Sequence, residues 1–126
     1  MYAKQSIAVQ SVINGYFDGI YRGDTALLGE VFHPQALLCG DINGQPYFKT
    51  VNEYLEVVRN RKSPQELGEN FRMEVLGIEM LGNNAIAKLR VPMLGYDYYD
   101  YLSLTVIEGK WRIMNKLFTH REPAAQ

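Results

Sequence analysis

Cysteine is nearly absent from this 126-residue chain: Cys39 stands alone. It cannot close an intrachain disulfide, and no Cys-x-x-Cys pair exists to hold zinc. Histidine is almost as scarce, with only His33 and His120. Metal centres normally gather three or four ligands, so no metal site is expected. Positive charge is not in excess, since 13 Lys and Arg face 14 Asp and Glu for a net charge of −1. That balance argues against a nucleic-acid partner recognised through bulk charge. No apolar run approaches the roughly 20 residues of a membrane helix. After Lys4, the polar Gln5, Ser6, Gln10 and Ser11 interrupt any signal-peptide core. Repeats, linkers, low-complexity stretches and cofactor motifs are also missing. What is present is apolar mass, 47% of residues, too much for a disordered polymer. The expectation is a soluble, cytoplasmic protein forming one domain over residues 1–126, with no cofactor, nucleic acid or membrane as partner.

Residues 6–22 read as an amphipathic helix. Val9, Val12, Ile13, Tyr16 and Ile20 fall on one stripe, with Gln10, Asn14, Asp18 and Arg22 opposite. Gly23 breaks it, Asp24 caps a second short helix through Leu27, Leu28, Val31 and Phe32, and His33-Pro34 ends that one. Ala36 to Cys39 suits a strand, Asn43-Gly44 a tight hairpin, and Gln45 to Lys49 the return strand. Thr50 and Glu53 form a capping box for a third helix ending near Arg61, with Val51, Tyr54, Leu55 and Val58 on its apolar face. Arg59, Arg61 and Lys62 sit where positive charge complements the helix dipole. Ser63-Pro64-Gln65-Glu66 predicts a second capping box over one extra turn.

From residue 70 the period becomes two, giving strands over 71–81, 85–94, 98–108 and 110–120. Polar Arg72 and Glu74 are out of phase with Glu79, which predicts a bulge near Gly77. Gly95-Tyr96-Asp97 reads as a loose turn and Glu108-Gly109 as a tight one. Helices followed by a meandering, mostly antiparallel sheet make an α+β fold.

A two-residue turn at Glu108-Gly109 pairs Ile107 with Lys110 and fixes every later pair. One face then carries Leu104 with Ile113, Leu102 with Asn115, and Asp100 with Leu117, joined by Ala85, Ala87 and Leu89; this is the face set against the helices. The other carries Tyr101 with Lys116, Tyr99 with Phe118, and Asp97 with His120. Asp100 and Asn115 on a covered face, with Tyr16 pointing towards them, imply a hollow that holds water or ligand. Tyr99, Tyr101, Met114 and Phe118 are too apolar to share a wet face, so a homodimer through the sheet is expected.

The chain resembles the nuclear transport factor 2-like superfamily, the cystatin-like cone fold. The resemblance rests on Tyr21-Arg22-Gly23-Asp24, on Leu28 to Ala36, on the capped helix after Tyr47-Phe48-Lys49, and on Asp100 to Leu104 with Gly109 to Lys116. Asp-Tyr-Leu-Ser-Leu and Trp-Arg-Ile-Met-Asn-Lys look most like the branch labelled "putative lumazine-binding", beside the SnoaL-like proteins. The resemblance implies a cone of strongly curved sheet around three helices, and a heterocyclic ligand. In the ketosteroid isomerase branch, a helix-one tyrosine and a strand acid form an oxyanion hole beside a second carboxylate acting as base. Tyr16 and Asp100 match the first two. The base position falls at Gly40, with Asp41 one residue out of phase, and that departure argues against isomerase chemistry.

Each candidate also has a plainer reading. The Tyr16 hydroxyl serves a ligand oxygen or a backbone carbonyl. Asp100 is an acid kept neutral by burial, or a carboxylate at the rim. Asn115 orients a ligand carbonyl, or bonds Asp100 or a buried water. Trp111 stacks on a planar ligand or plugs the end of the core. Tyr54 and Tyr98 complete the expected ligand contacts, and Tyr16 with Asp100 would be the catalytic pair of an enzyme. Three functions follow in order: a small-molecule-binding protein; a cone-fold isomerase, dehydratase or cyclase using Asp100; and a dimeric interaction module without ligand.

Overall fold

The computed structural model describes residues 2–121. Its elements are α1 (Tyr2–Arg22), α2 (Thr25–Val31), β1 (Phe32–Ile42), β2 (Gln45–Thr50), α3 (Val51–Asn60), β3 (Glu74–Leu81), β4 (Asn84–Met93), β5 (Tyr96–Ile107) and β6 (Lys110–Arg121). The six strands form one sheet in the order β2-β1-β6-β5-β4-β3. Every neighbouring pair is antiparallel except β1 with β6. This is the α+β cone of three helices and a curved sheet that the pattern predicts.

Local chemistry sets the element ends. The Asp24 carboxylate accepts from the Leu27 amide at 3.0 Å and caps α2. Thr50 and Glu53 close a full capping box on α3. Ser63 and Glu66 form the second one, as the Ser63 amide donates to Glu66 and the Glu66 amide to Ser63 Oγ, both at 3.1 Å. Three hairpins turn on residue pairs with positive φ: Asn43-Gly44, Leu94-Gly95 and Glu108-Gly109. The middle turn lies one residue earlier than the sequence suggests. The Glu69 carboxylate accepts from the Leu94 amide at 3.0 and 3.2 Å, which holds a leucine in the left-handed region.

The predicted bulge near Gly77 is present, between Val75 and Gly77. A second bulge was not foreseen. Ile107 pairs with Lys110 and Leu104 with Ile113 as expected, but the register then slips at Met114. Leu102 therefore faces Lys116 rather than Asn115, and Asp100 faces Phe118 rather than Leu117. One extra residue exchanges the two faces of the strand beyond it. Lys116 and Phe118 turn inward, while Asn115 and Leu117 turn outward, and Leu117 is 50% exposed. The outer face therefore has a different apolar set from the one expected. It carries Phe48, Leu37, Leu117, Tyr101 and Ile86 across β2, β1, β6, β5 and β4, all exposed.

The core lies between α1 and the inner sheet face. Val9, Ile13, Tyr16 and Ile20 pack over Ala87, Leu89, Leu102, Leu104 and Ile113. Complete burial of a large aliphatic side chain is worth about 1.5–3 kcal/mol, so this layer dominates stability. None of the described helices is long and apolar enough to cross a membrane.

Candidate functional site

α3 packs on β1, β2 and α2, and its Tyr54 and Val57, with Arg61 just beyond its end, line a hollow of about 80 Å³ whose other side is formed from β4, β5 and β6. Its walls are aromatic and aliphatic: Tyr47 from β2, Tyr54 from α3, Tyr98 from β5, Phe118 from β6, with Val91 and Met93 from β4. The Tyr47 and Tyr98 rings each meet Phe118 edge-on, at 5.0 and 6.0 Å between centroids. Asp100 and Lys116 supply the polar floor, and Arg61 lies at the α3 end.

The floor is built by alternation and by the Met114 bulge. Asp100 points inward because it shares the parity of Leu102 and Leu104. Lys116 points inward only because of the slip. Tyr16, fully buried on α1, donates its hydroxyl to Asp100 Oδ2. Lys116 Nζ lies 4.0 Å from that same oxygen. The ammonium also stands over three rings, at 5.3 Å from Tyr16, 5.0 Å from Tyr54 and 5.2 Å from Phe118. Only 1% of Asp100 and 5% of Lys116 is exposed, which makes this a charge pair inside the protein rather than at its surface.

Burial raises the proton affinity of the Asp100 carboxyl, and the Lys116 charge and the Tyr16 hydrogen bond oppose that rise. Burial also drives the Tyr16 hydroxyl well above the usual phenol value, and the Asp100 charge adds to it. Tyr47 is pushed up to about 12, chiefly by burial, and Tyr98 is raised for the same first reason. A raised folded-state value has one consequence for stability. The contribution is complete below the unfolded phenol value of 10.0 and is lost as the pH climbs through the folded one, because the unfolded chain ionises first. Alkaline titration followed by tyrosinate absorbance is therefore expected to be staged. Tyr47 ionises near 12, and Tyr16 only as far-ultraviolet circular dichroism reports unfolding. One phase near 10 for all nine tyrosines in a folded protein would contradict the burial described here.

The structure brings Tyr54, Tyr98 and Asp100 to the hollow and sets Tyr16 directly beneath its floor. It does not bring Asn115 there. Asn115 pairs with Ser103 and Leu37 on the outer face, for the register reason given above. Trp111 also lies elsewhere, 8% exposed beside a groove formed with Val12, Gly15 and Lys110, and so fits the plug reading. His120 does not pair with Asp97. Its Nε2 accepts from the Asn43 amide at 2.8 Å, while Asp97 takes Arg90 at 2.9 and 3.1 Å. Among the described residues, no group of three or more His, Cys, Asp or Glu could hold a metal ion.

Lys116, Phe118, Tyr47 and Arg61 were not anticipated. The signal for the first two was the improbable outer face itself. Placing Phe118 in water beside Tyr99 and Tyr101 was a conflict that a bulge resolves. Two further polar atoms stand out at the hollow: the Tyr54 hydroxyl and Arg61 Nη2 are buried and have no hydrogen-bond partner among the described residues.

The family described as "Putative lumazine-binding" matches residues 4–119. Aldolase FrzH of Cladobotryum sp is 28% identical over 105 residues, covering 82% of this chain and 81% of that protein. An NTF2-like protein of unknown function from Shewanella baltica OS155 superposes with a TM-score of 0.83 at 21% identity, covering 98% of each chain. Another, from Silicibacter pomeroyi DSS-3, has a TM-score of 0.81 at 18% identity and covers 96% of this chain and 99% of its own.

Proposed function

The chain belongs to the family described as "Putative lumazine-binding", with the fold of the NTF2-like proteins, and from that premise we propose that it binds a small molecule in the hollow between α3 and the sheet. The observation that carries this reading is the buried Tyr16–Asp100–Lys116 cluster under an aromatic-walled opening. Buried ion pairs add little stability compared with hydrophobic residues of similar volume. A charge pair in this place therefore makes better sense as a ligand-orienting floor than as a structural device. Sites for drug-sized ligands run to about 300–1,000 Å³, so a hollow of about 80 Å³ takes one edge of a small ring, with the rest at the mouth.

Lumazine itself is the first probe. Added to the protein, it is expected to move the amide resonances of Tyr54, Val91, Tyr98 and Phe118 and to leave those around Trp111 unchanged. Shifts scattered over the surface, or none, would remove the hollow from the account.

A second reading is an enzyme that forms an enolate, favoured by the likeness to a protein named as an aldolase. Here the Asp100 carboxylate takes a proton from carbon next to a carbonyl, and the electron pair moves onto the carbonyl oxygen beside the Lys116 ammonium. Solvent deuterium entering that carbon only when Asp100 is present separates an enzyme from a binder.

In the same proposal, a second copy of the chain covers the outer stripe. Phe48, Leu37, Leu117, Tyr101 and Ile86 share the outer face of five adjacent strands, with Leu117 directly beside Tyr101, an apolar stripe that a second copy covers with its own. Light scattering is expected to give twice the chain mass, and Leu117→Lys to give the monomer. A parent protein that scatters as a monomer at high concentration would contradict this.

A further inference from the structure

Resting on that reading, we propose that the hollow selects flat ligands bearing an anionic oxygen, such as a carboxylate, held by Arg61 and Tyr54. Three observations lead there. First, Tyr54 is 3% exposed, yet its hydroxyl has no hydrogen-bond partner among the described residues, and the same holds for the buried Arg61 Nη2. Buried donors are normally satisfied, and an unmatched guanidinium donor is the costlier of the two. Both residues line the hollow, and the guanidinium carbon lies 6.0 Å from the Tyr54 ring centroid.

Second, Arg61 forms no ion pair among the described residues, although Arg59, two residues before it, pairs with Glu56. The guanidinium stands by the Tyr54 ring instead and lines the hollow together with Tyr47 and Tyr98. A residue serving only the α3 dipole would leave its head group in water. Third, the lining residues carry two cations, Arg61 and Lys116, and one carboxylate, Asp100, which Tyr16 and Lys116 already occupy. The hollow therefore has one positive charge in excess. A carboxylate accepts from a guanidinium and a phenol together, and the aromatic walls suit the flat group behind it.

Benzoate and benzamide test this, because they share shape and differ in charge. Titrations followed by amide resonances are expected to show benzoate binding at least tenfold more tightly than benzamide. Added sodium chloride should weaken benzoate and leave benzamide unchanged, a comparison on the parent protein that needs no variant. Arg61→Gln should erase the preference and Tyr54→Phe should weaken benzoate several-fold, with resonance dispersion reporting that each variant is folded. Equal affinities, or a preference that survives in Arg61→Gln, would overturn the inference. Lumazine binding while both small probes fail would overturn it and leave the small-molecule reading standing. Failure of all three would overturn both.

Discussion

Asp100→Leu is expected to cost about 3–5 kcal/mol in urea unfolding at neutral pH. The loss is larger than that of a usual core substitution because two groups are stranded at once. The Lys116 ammonium keeps its three ring faces but loses its only carboxylate among the described residues, and the buried Tyr16 hydroxyl loses its acceptor. Lys116→Met should cost only about 1–2 kcal/mol, because Asp100 can shed its charge by taking up a proton. Replacing all three, with Tyr16→Phe added, should return to within about 1 kcal/mol of the parent, since no member of the cluster is then left unmatched. Equal, additive losses for the single variants would mean that the cluster is not coupled.

The pH dependence of Lys116→Met separates the two partners further. Removing the ammonium takes away the main influence that opposes burial, so the folded-state proton affinity of Asp100 rises further. With the folded value above the ordinary 3.8, stability is complete below that pH and is lost as pH rises through the folded value. Lys116→Met should therefore lose more stability than the parent between mildly acid and neutral solution. A parallel displacement of the two curves would place Asp100 in contact with solvent.

What could be read from the sequence follows the range of the interaction responsible. Capping boxes at Thr50 and Ser63, the Asp24 cap, and the Asn43-Gly44 and Glu108-Gly109 turns depend on neighbours within a few residues, and all are present. The Gly77 bulge was visible because Arg72, Glu74 and Glu79 break a polar phase. The Met114 bulge was hidden because both parities are apolar there: Ile113 and Leu117 on one, Met114 and Phe118 on the other. Alternation cannot choose between such faces. The choice is made by β1, whose parallel register sets Leu38 beside Lys116 and Gly40 beside Phe118 across more than seventy residues of chain. Tyr54, Tyr98 and Asp100 line the hollow because they lie outside the slipped segment, whereas Asn115 lies inside it and faces outward. Arg61 reads in the sequence as a helix-end charge, and only the tertiary placement of α3 puts it in the lining of the hollow.

Gly40→Ala should destabilise the protein by about 3 kcal/mol or more, a large effect for one methyl group. A Cβ built at Gly40 points to the inner face. It would lie against the Phe118 carbonyl oxygen, closer than van der Waals contact permits, and 2.8 Å from Phe118 Cδ1. The obstacle is backbone in a hydrogen-bonded strand, so β1 and β6 must separate before the methyl fits. Reduced urea midpoints with faster amide exchange along β1 would report that separation. A variant as stable as the parent would mean that the two strands are less closely joined than described. The same contact bears on function. Gly40 is where the isomerase-like pattern needs its base, and β6 has closed that position with its own backbone. Gly40→Asp should therefore fail to install a base for the same steric reason. Among the residues that line the hollow, Asp100 is the one carboxylate.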